Sequence, residues 1–309
     1  MRQAFFDALA GIAERDPRVM LLTGDLGFMV VEDFATRFPD RFINVGVAEA
    51  NMLGVATGLA QQGFIPYCYS IATFASMRGY EQLRNGALLH QLPVRVVGVG
   101  GGFAYGSAGT THHALEDLGL MRLQPGMTVL APGDDGQARS GLEATYDLAG
   151  PVYHRLGKDP LRVSGLGSGY PPDDVSILRP GGDILLLATG TMAPPALAAA
   201  DLLEQSGVAA TVGHVACLRP VPGATLAALL GGFQHVVTVE DHHITGGLGS
   251  LVAEVIAEVG IPCRLSRLGA TALPDGVTGS EAFLRSRAGL SAEGIAERAL
   301  TVTGIGVAN

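Results

Sequence analysis

The chain has 309 residues, 48% of them hydrophobic and only 16% charged, and is long enough for two domains of about 100–200 residues each. A formal net charge of −9 with no Lys/Arg cluster excludes a nucleic-acid-binding surface, and no apolar run reaches the ~20 residues a helix needs to cross a bilayer. So low a share of charge predicts surface buried against other subunits, together with a large α/β core whose central strands are apolar on both faces.

Residues 1–17, MRQAFFDALAGIAERDP, place Asp7 and Glu14 on an amphipathic pattern without a cleavage signature. They predict the first helix of the fold rather than a signal peptide. VMLLTGD (19–25) reads as strand then turn. RFINVG (41–46) reads as a second strand leading into NVGVAEANMLGVATGLA (44–60), whose single charge is Glu49. GFIPYCY (63–69) is a strand, MRGYEQLRNGALLH (77–90) has helical spacing, and PVRVVGVGG (93–101) is a buried strand. LEDLGLMRL follows as a short helix, MTVLAP (127–132) as a strand, DDGQARSGLEATYDLA as a helix and PVYHRLG (151–157) as a strand.

Composition changes at 158–182, which is rich in Gly, Pro, Ser and Asp and lacks an apolar period. This predicts a first domain over 1–160, a linker over 161–181 and a second domain over 182–309. The alternation restarts with DILLLATG, a helix over about 193–206, VAATVGHV, a helix near 223–230, HVVTVED and GGLGSLVAEVIAEVG. The expected class is α/β, with two doubly wound domains, the second smaller, each built on a mostly parallel sheet.

Few of the usual catalytic signatures are present. VVGVGGG (96–102) follows a strand but is succeeded by the loop-like FAYGSAGTTHH, so it fails the dinucleotide fingerprint, which must open a helix. There is no P-loop and no G-x-S-x-G elbow. The pairs His112–His113 and His242–His243 lack the i,i+4 spacing of a helical zinc site, and no metal site is expected on this chain. Loop histidines are the default reading, although the polar, glycine-flanked setting of THH suits an imidazole that meets a substrate. Phe74 and Arg78 read as a core aromatic and a solvated cation unless something planar binds there. Cys68, Cys217 and Cys263 are scattered without C-x-x-C spacing, which predicts reduced thiols and a cytoplasmic location. Glu49 is either a helix N-terminal charge favoured by the macrodipole or a buried carboxyl that handles a proton.

Taken in order, TGDLG, RFINVGVAEANMLGVATGLA, SIATF…RGYEQLRN, GSAGTTHHALEDLGLMRLQPGMTVLAPGD, GPVYHRLG, DILLLATGTM and VVTVEDHHITGGLGSLVAEV resemble the C-terminal half of transketolase over nearly the whole chain. The resemblance implies a pyrimidine-binding thiamine-diphosphate fold followed by the smaller transketolase C-terminal domain. It implies that Glu49 meets N1′ of the aminopyrimidine of thiamine diphosphate, that Phe74 stacks on that ring with Arg78 beside it, and that Asp25 and Leu26 lie near the thiazolium. His112 would contact substrate oxygens and assist proton transfer. The family's G-D-G…N signature for the diphosphate and its Mg²⁺ (or another divalent ion) is not found here. The implied enzyme is therefore a split transketolase, in which this chain joins an N-terminal diphosphate-binding subunit as an α2β2 heterotetramer acting on sugar (phosphate) substrates.

Departures from the family pattern concern the substrate. Gly100 stands where the family has a histidine, Ala108 replaces an aspartate that meets a sugar hydroxyl, His113 replaces a glutamine, and Lys158 replaces an arginine used on the acceptor phosphate. These changes imply a two-carbon transfer on specialised substrates. Two alternatives remain. One is an acyl-transferring or decarboxylating subunit like the β chains of 2-oxoacid dehydrogenases or like deoxyxylulose-phosphate synthase. The other is a non-catalytic scaffold subunit.

Overall fold

The structure, a computed structural model, describes residues 1–166, 174–271 and 276–304. The first half contributes β1 (Val19–Thr23), β2 (Phe42–Asn44), β3 (Ile65–Ile71), β4 (Arg95–Val99), β5 (Thr128–Leu130) and β6 (Val152–Leu156). The second contributes β7 (Ser176–Arg179), β8 (Ile184–Ala188), β9 (Ala210–His214), β10 (Cys217–Arg219), β11 (His235–His243) and β12 (Arg264–Ala270). They form a seven-stranded sheet, order β10-β5-β6-β4-β3-β1-β2, and a five-stranded sheet, order β12-β11-β8-β9-β7. Both are parallel except for one edge strand each, β10 against β5 and β7 against β9.

The strands follow from composition. All residues of β1, β4, β6, β8 and β9 are buried, as expected of parallel strands covered on both faces. Helix Arg2–Arg15 buries Phe5, Leu9 and Ile12 on one face of the large sheet, against Leu21, Tyr67 and Val97. Helix Glu49–Gln61 buries Met52, Leu53 and Ala56 on the other face, against Leu22, Cys68 and Val96. No helix among the described residues is long and apolar enough to cross a membrane.

Three features depart from the sequence expectation. The stretch 77–90 is not one regular helix, since Tyr80–Leu83 passes into a π-helical turn at Arg84–Leu88. A side chain at Gly86 would lie 2.6 Å from Thr57 Oγ1, so the two helices touch at this widened turn. β7 falls inside 161–181, the stretch expected as linker, and 167–173 lies outside the described residues. β10 crosses from the second half to extend the first sheet, pairing Cys217 with Leu130.

Three imidazoles are packed without charge. Burial, with Arg95 nearby, pushes His154 down to about 3; burial also lowers His214 and His242 to about 4. Their contribution to stability is present above the unfolded value of 6.5 and is lost as pH falls through those folded values. Glu240 opposes them. Burial raises it to about 7 from 4.5, so its contribution is full below 4.5 and is lost as pH rises through 7. Between pH 6 and 5 unfolding should then take up about two protons, so stability falls by about 2–3 kcal/mol per pH unit. Urea titrations across this range check the slope, and Glu240→Gln should make it steeper.

Candidate active site

Five neighbouring strands of the large sheet, β6, β4, β3, β1 and β2, end along one edge, and ligands of open α/β sheets bind outside such carboxyl ends. β1 runs into Gly24 and Asp25. After β2 the chain turns at Gly46, with φ +73, and starts the helix at Glu49. β3 leads into the short helix Ala72–Met77, which carries Phe74. β4 leads into the Gly100–Gly102 run and the loop bearing His112, and β6 into Lys158.

Glu49 is 2% exposed although it opens a helix. The sequence presents it as an isolated carboxyl in an apolar run, but the fold supplies two partners. Ser70 Oγ donates to Oε1 at 3.1 Å and Arg78 Nη1 donates to Oε2 at 2.9 Å. The Arg78 guanidinium also lies over the Phe74 ring, 3.8 Å from its centroid, while half of its side chain stays in solvent. His112 meets the same phenyl ring edge-on at 5.1 Å, and Thr111 Oγ1 lies 3.0 Å from its Nδ1. Glu49, Arg78, Phe74 and His112 thus form one connected group. Its phenyl face and carboxylate together already hold a planar, N–H-bearing group, the arrangement that an aminopyrimidine requires.

Asp25 joins this edge through Asn44. Asn44 Nδ2 donates to Asp25 Oδ1 at 3.0 Å, and Asn44 Oδ1 accepts from the backbone N–H groups of Asp25 and Gly46. Leu26 is half-buried, its carbonyl bonded by Thr23 Oγ1 at 2.7 Å and its side chain packed on the core. Beyond it Phe28 is 84% and Met29 78% exposed, with Val47 at 71% across the edge. Three large apolar side chains left in water beyond the ends of β1 and β2 mark a surface made to be covered.

The other expected site residues lie apart from this group. His113 is buried edge-on against Phe103 at 5.3 Å, and neither ring nitrogen has a hydrogen-bond partner among the described residues. Lys158 lines a cleft of about 320 Å³ between the two sheets, shared with Arg155, Thr191, Glu281 and Arg285. Gly100 has a steric reason. A Cβ there would fall 2.2 Å from the Tyr105 ring, one at Gly101 2.0 Å from Arg155, and one at Gly102 2.1 Å from Asp241. The glycine run exists because three side chains already fill its space.

Sequence reasoning missed the ionic bolt behind these glycines. Arg155 Nε lies 3.0 Å from Asp117 Oδ2, which also accepts from Tyr153 at 2.6 Å. Arg155 Nη2 donates to the carbonyls of Ala114 and Asp241, and Arg285 closes on the Asp241 carboxylate at 2.8 Å. The Asp117 and Asp241 carboxylates hold the Arg155 guanidinium protonated despite its burial. An arginine within the apolar run PVYHRLG was the available signal, because a buried charge must be paired.

Comparison with known proteins gives the family. Residues 1–163 match the transketolase pyrimidine-binding domain family, and residues 173–295 match the transketolase C-terminal domain family. The chain belongs to the transketolase family. Enzymes of that family are thiamine-diphosphate-dependent transferases. Among its relatives is a 6-deoxy-6-sulfo-D-fructose transketolase subunit from Clostridium sp. (strain MSTE9), 37% identical over 98% of this chain and 94% of its own length. Another is one of the subunits of an apulose-4-phosphate transketolase from Actinobacillus succinogenes, 34% identical over 88% of each chain. A 1-deoxy-D-xylulose-5-phosphate synthase from Thioalkalivibrio sulfidiphilus is also 37% identical, but the match spans 45% of it. The fold superposes on a split-gene transketolase solved as an inactive beta4 tetramer, with a TM-score of 0.87, 34% identity and 98% of both chains covered. The resemblance seen in the sequence is therefore a family relationship that spans both domains of this transketolase-family chain.

Proposed function

We propose that this chain is the pyrimidine-side subunit of a two-chain thiamine-diphosphate transketolase. The partner would carry the diphosphate site and its divalent ion, and the two would assemble as α2β2. The observation that carries this reading is the buried Glu49 carboxyl, held by Ser70 and Arg78 at the sheet edge beside the half-buried Phe74 ring. The cofactor, when bound, supplies an electron sink for breaking and making a carbon–carbon bond next to a carbonyl. Glu49 holds and returns a proton at the pyrimidine nitrogen. Phe74 stacks on that ring, and Arg78 gives up its place on the phenyl face while staying beside Glu49. Asp25 and Leu26 border the cofactor from the β1 side, and His112 bonds substrate oxygens. His113 and Lys158 flank the substrate, with Lys158 as a point charge for an anionic end.

A two-carbon ketol unit would pass from a ketose to an aldehyde. Both the sulfo-sugar and sugar-phosphate relatives are named for ketoses with an anionic end, which agrees with a specialised donor. Co-expression with a diphosphate-binding partner and a donor screen test the reading. Ketol transfer from an anionic ketose supports it. Turnover of pyruvate without ketol transfer would move the chain to the acyl-transferring class, and ordinary rates on xylulose 5-phosphate with ribose 5-phosphate would remove the specialised substrate.

A further inference from the structure

Asn44, the last residue of β2, is exposed and carries no charge, yet it makes three hydrogen bonds at the site edge. Its Oδ1 accepts from Asp25 N at 3.1 Å and Gly46 N at 3.0 Å, while its Nδ2 donates to Asp25 Oδ1 at 3.0 Å. The two turns it joins both need fixing, since Asp25 has φ +60 and Gly46 φ +73. A left-handed residue other than glycine needs local support, and here the support is one amide. Gly46 begins the turn that delivers Glu49, and Gly24 packs against the same carboxyl, an added Cβ lying 3.6 Å from Oε1. Glu49 itself is anchored separately, by Ser70 and Arg78.

We propose that Asn44 is a positioning residue for the cofactor: its side-chain amide holds the Asp25 turn and the Gly46 turn in one frame, setting the Asp25 carboxylate relative to Glu49 without touching the cofactor itself. This deepens the function proposed above and rests on it. The residue type follows from the bonding. The site needs an acceptor for two N–H groups and a donor for a carboxylate, which asparagine supplies at this length. Aspartate keeps the acceptor but sets a second negative charge against Asp25. Exposed hydrogen bonds of this kind add little to folding, because water replaces them. Their value lies in presenting Asp25 in the assembled enzyme.

The test uses the two-chain assembly, with calorimetric titration of thiamine diphosphate alongside thermal midpoints and turnover. Asn44→Asp should weaken cofactor binding by about tenfold or more while the thermal midpoint without cofactor stays close to wild type. At saturating cofactor, turnover should fall less than about threefold, because Glu49 keeps its own partners. Asn44→Ala, which removes all three bonds and adds no charge while keeping the Asp25 carboxylate, should weaken binding by a similar factor. Wild-type affinity in Asn44→Asp or in Asn44→Ala, or a collapse of saturated turnover in either, would each overturn the proposal. A wild-type pair that binds no thiamine diphosphate would instead overturn the function on which it rests.

Discussion

Glu49→Gln in the assembled enzyme is expected to lower turnover by about a thousandfold, within the usual range for loss of a positioned proton donor or acceptor. The substitution preserves volume and removes the exchangeable proton of a carboxyl. It also leaves one oxygen for Arg78, while the new amide N–H can donate to the Ser70 hydroxyl, so the loss is the charge paired with Arg78 and stability drops by about 1 kcal/mol. Assembly and overall fold should survive, because Met52, Leu53 and Ala56 of the same helix still fill the core. Turnover with a ketose donor, thermal midpoint and sedimentation of the complex separate these effects. Wild-type turnover in this variant would leave the chain as a scaffold.

A second large effect is expected on association. The helix Glu49–Gln61 exposes Asn51, Gly54, Gly58 and Gln61 along one face, and a Cβ added at Gly54 or Gly58 would have nothing within 4 Å. Neither glycine is required by packing within the chain, yet each costs about 0.5–1 kcal/mol relative to alanine inside a helix. In the function proposed above, a partner subunit that comes close to this face would explain the expense. Gly58→Ala should therefore raise the thermal midpoint of the isolated chain by about 1–3 °C. Gly54→Leu with Gly58→Leu should weaken affinity for the diphosphate-binding subunit by a hundredfold or more, since overpacking a close contact is strongly unfavourable. Binding measured by surface plasmon resonance decides the matter, and unchanged affinity would place the interface elsewhere.

Much of the fold was legible because it rests on local patterns. Short apolar runs such as VMLLT and ILLLA, bounded by turn residues, read as strands buried on both faces, and their alternation with helices makes the sheets parallel. Glu49 stood out as one charge in an apolar stretch. Its partners did not, because Ser70 and Arg78 lie 21 and 29 residues away and read as an ordinary strand serine and a solvated cation. The same holds for the bolt of Arg155, Asp117 and Asp241, whose members come from three separate segments. Asn44 was hidden for another reason: its neighbours in sequence give no sign that an exposed amide spans two turns. The glycine run at 100–102 invited a nucleotide, and only the positions of Tyr105, Arg155 and Asp241 show what it makes room for. β7 and β10 were unreadable because three- and four-residue edge strands carry too short a pattern to register.

β10 bears on how the chain can be divided. Residues 1–163 by themselves would leave the β5 edge of the large sheet with bare N–H and C=O groups, a template for any passing strand. In the whole chain Cys217–Arg219 occupies that edge. A protease that nicks the connection between the two family domains would thus produce two fragments that stay together, and a chain cut short at that connection would exchange a sealed sheet for a sticky one.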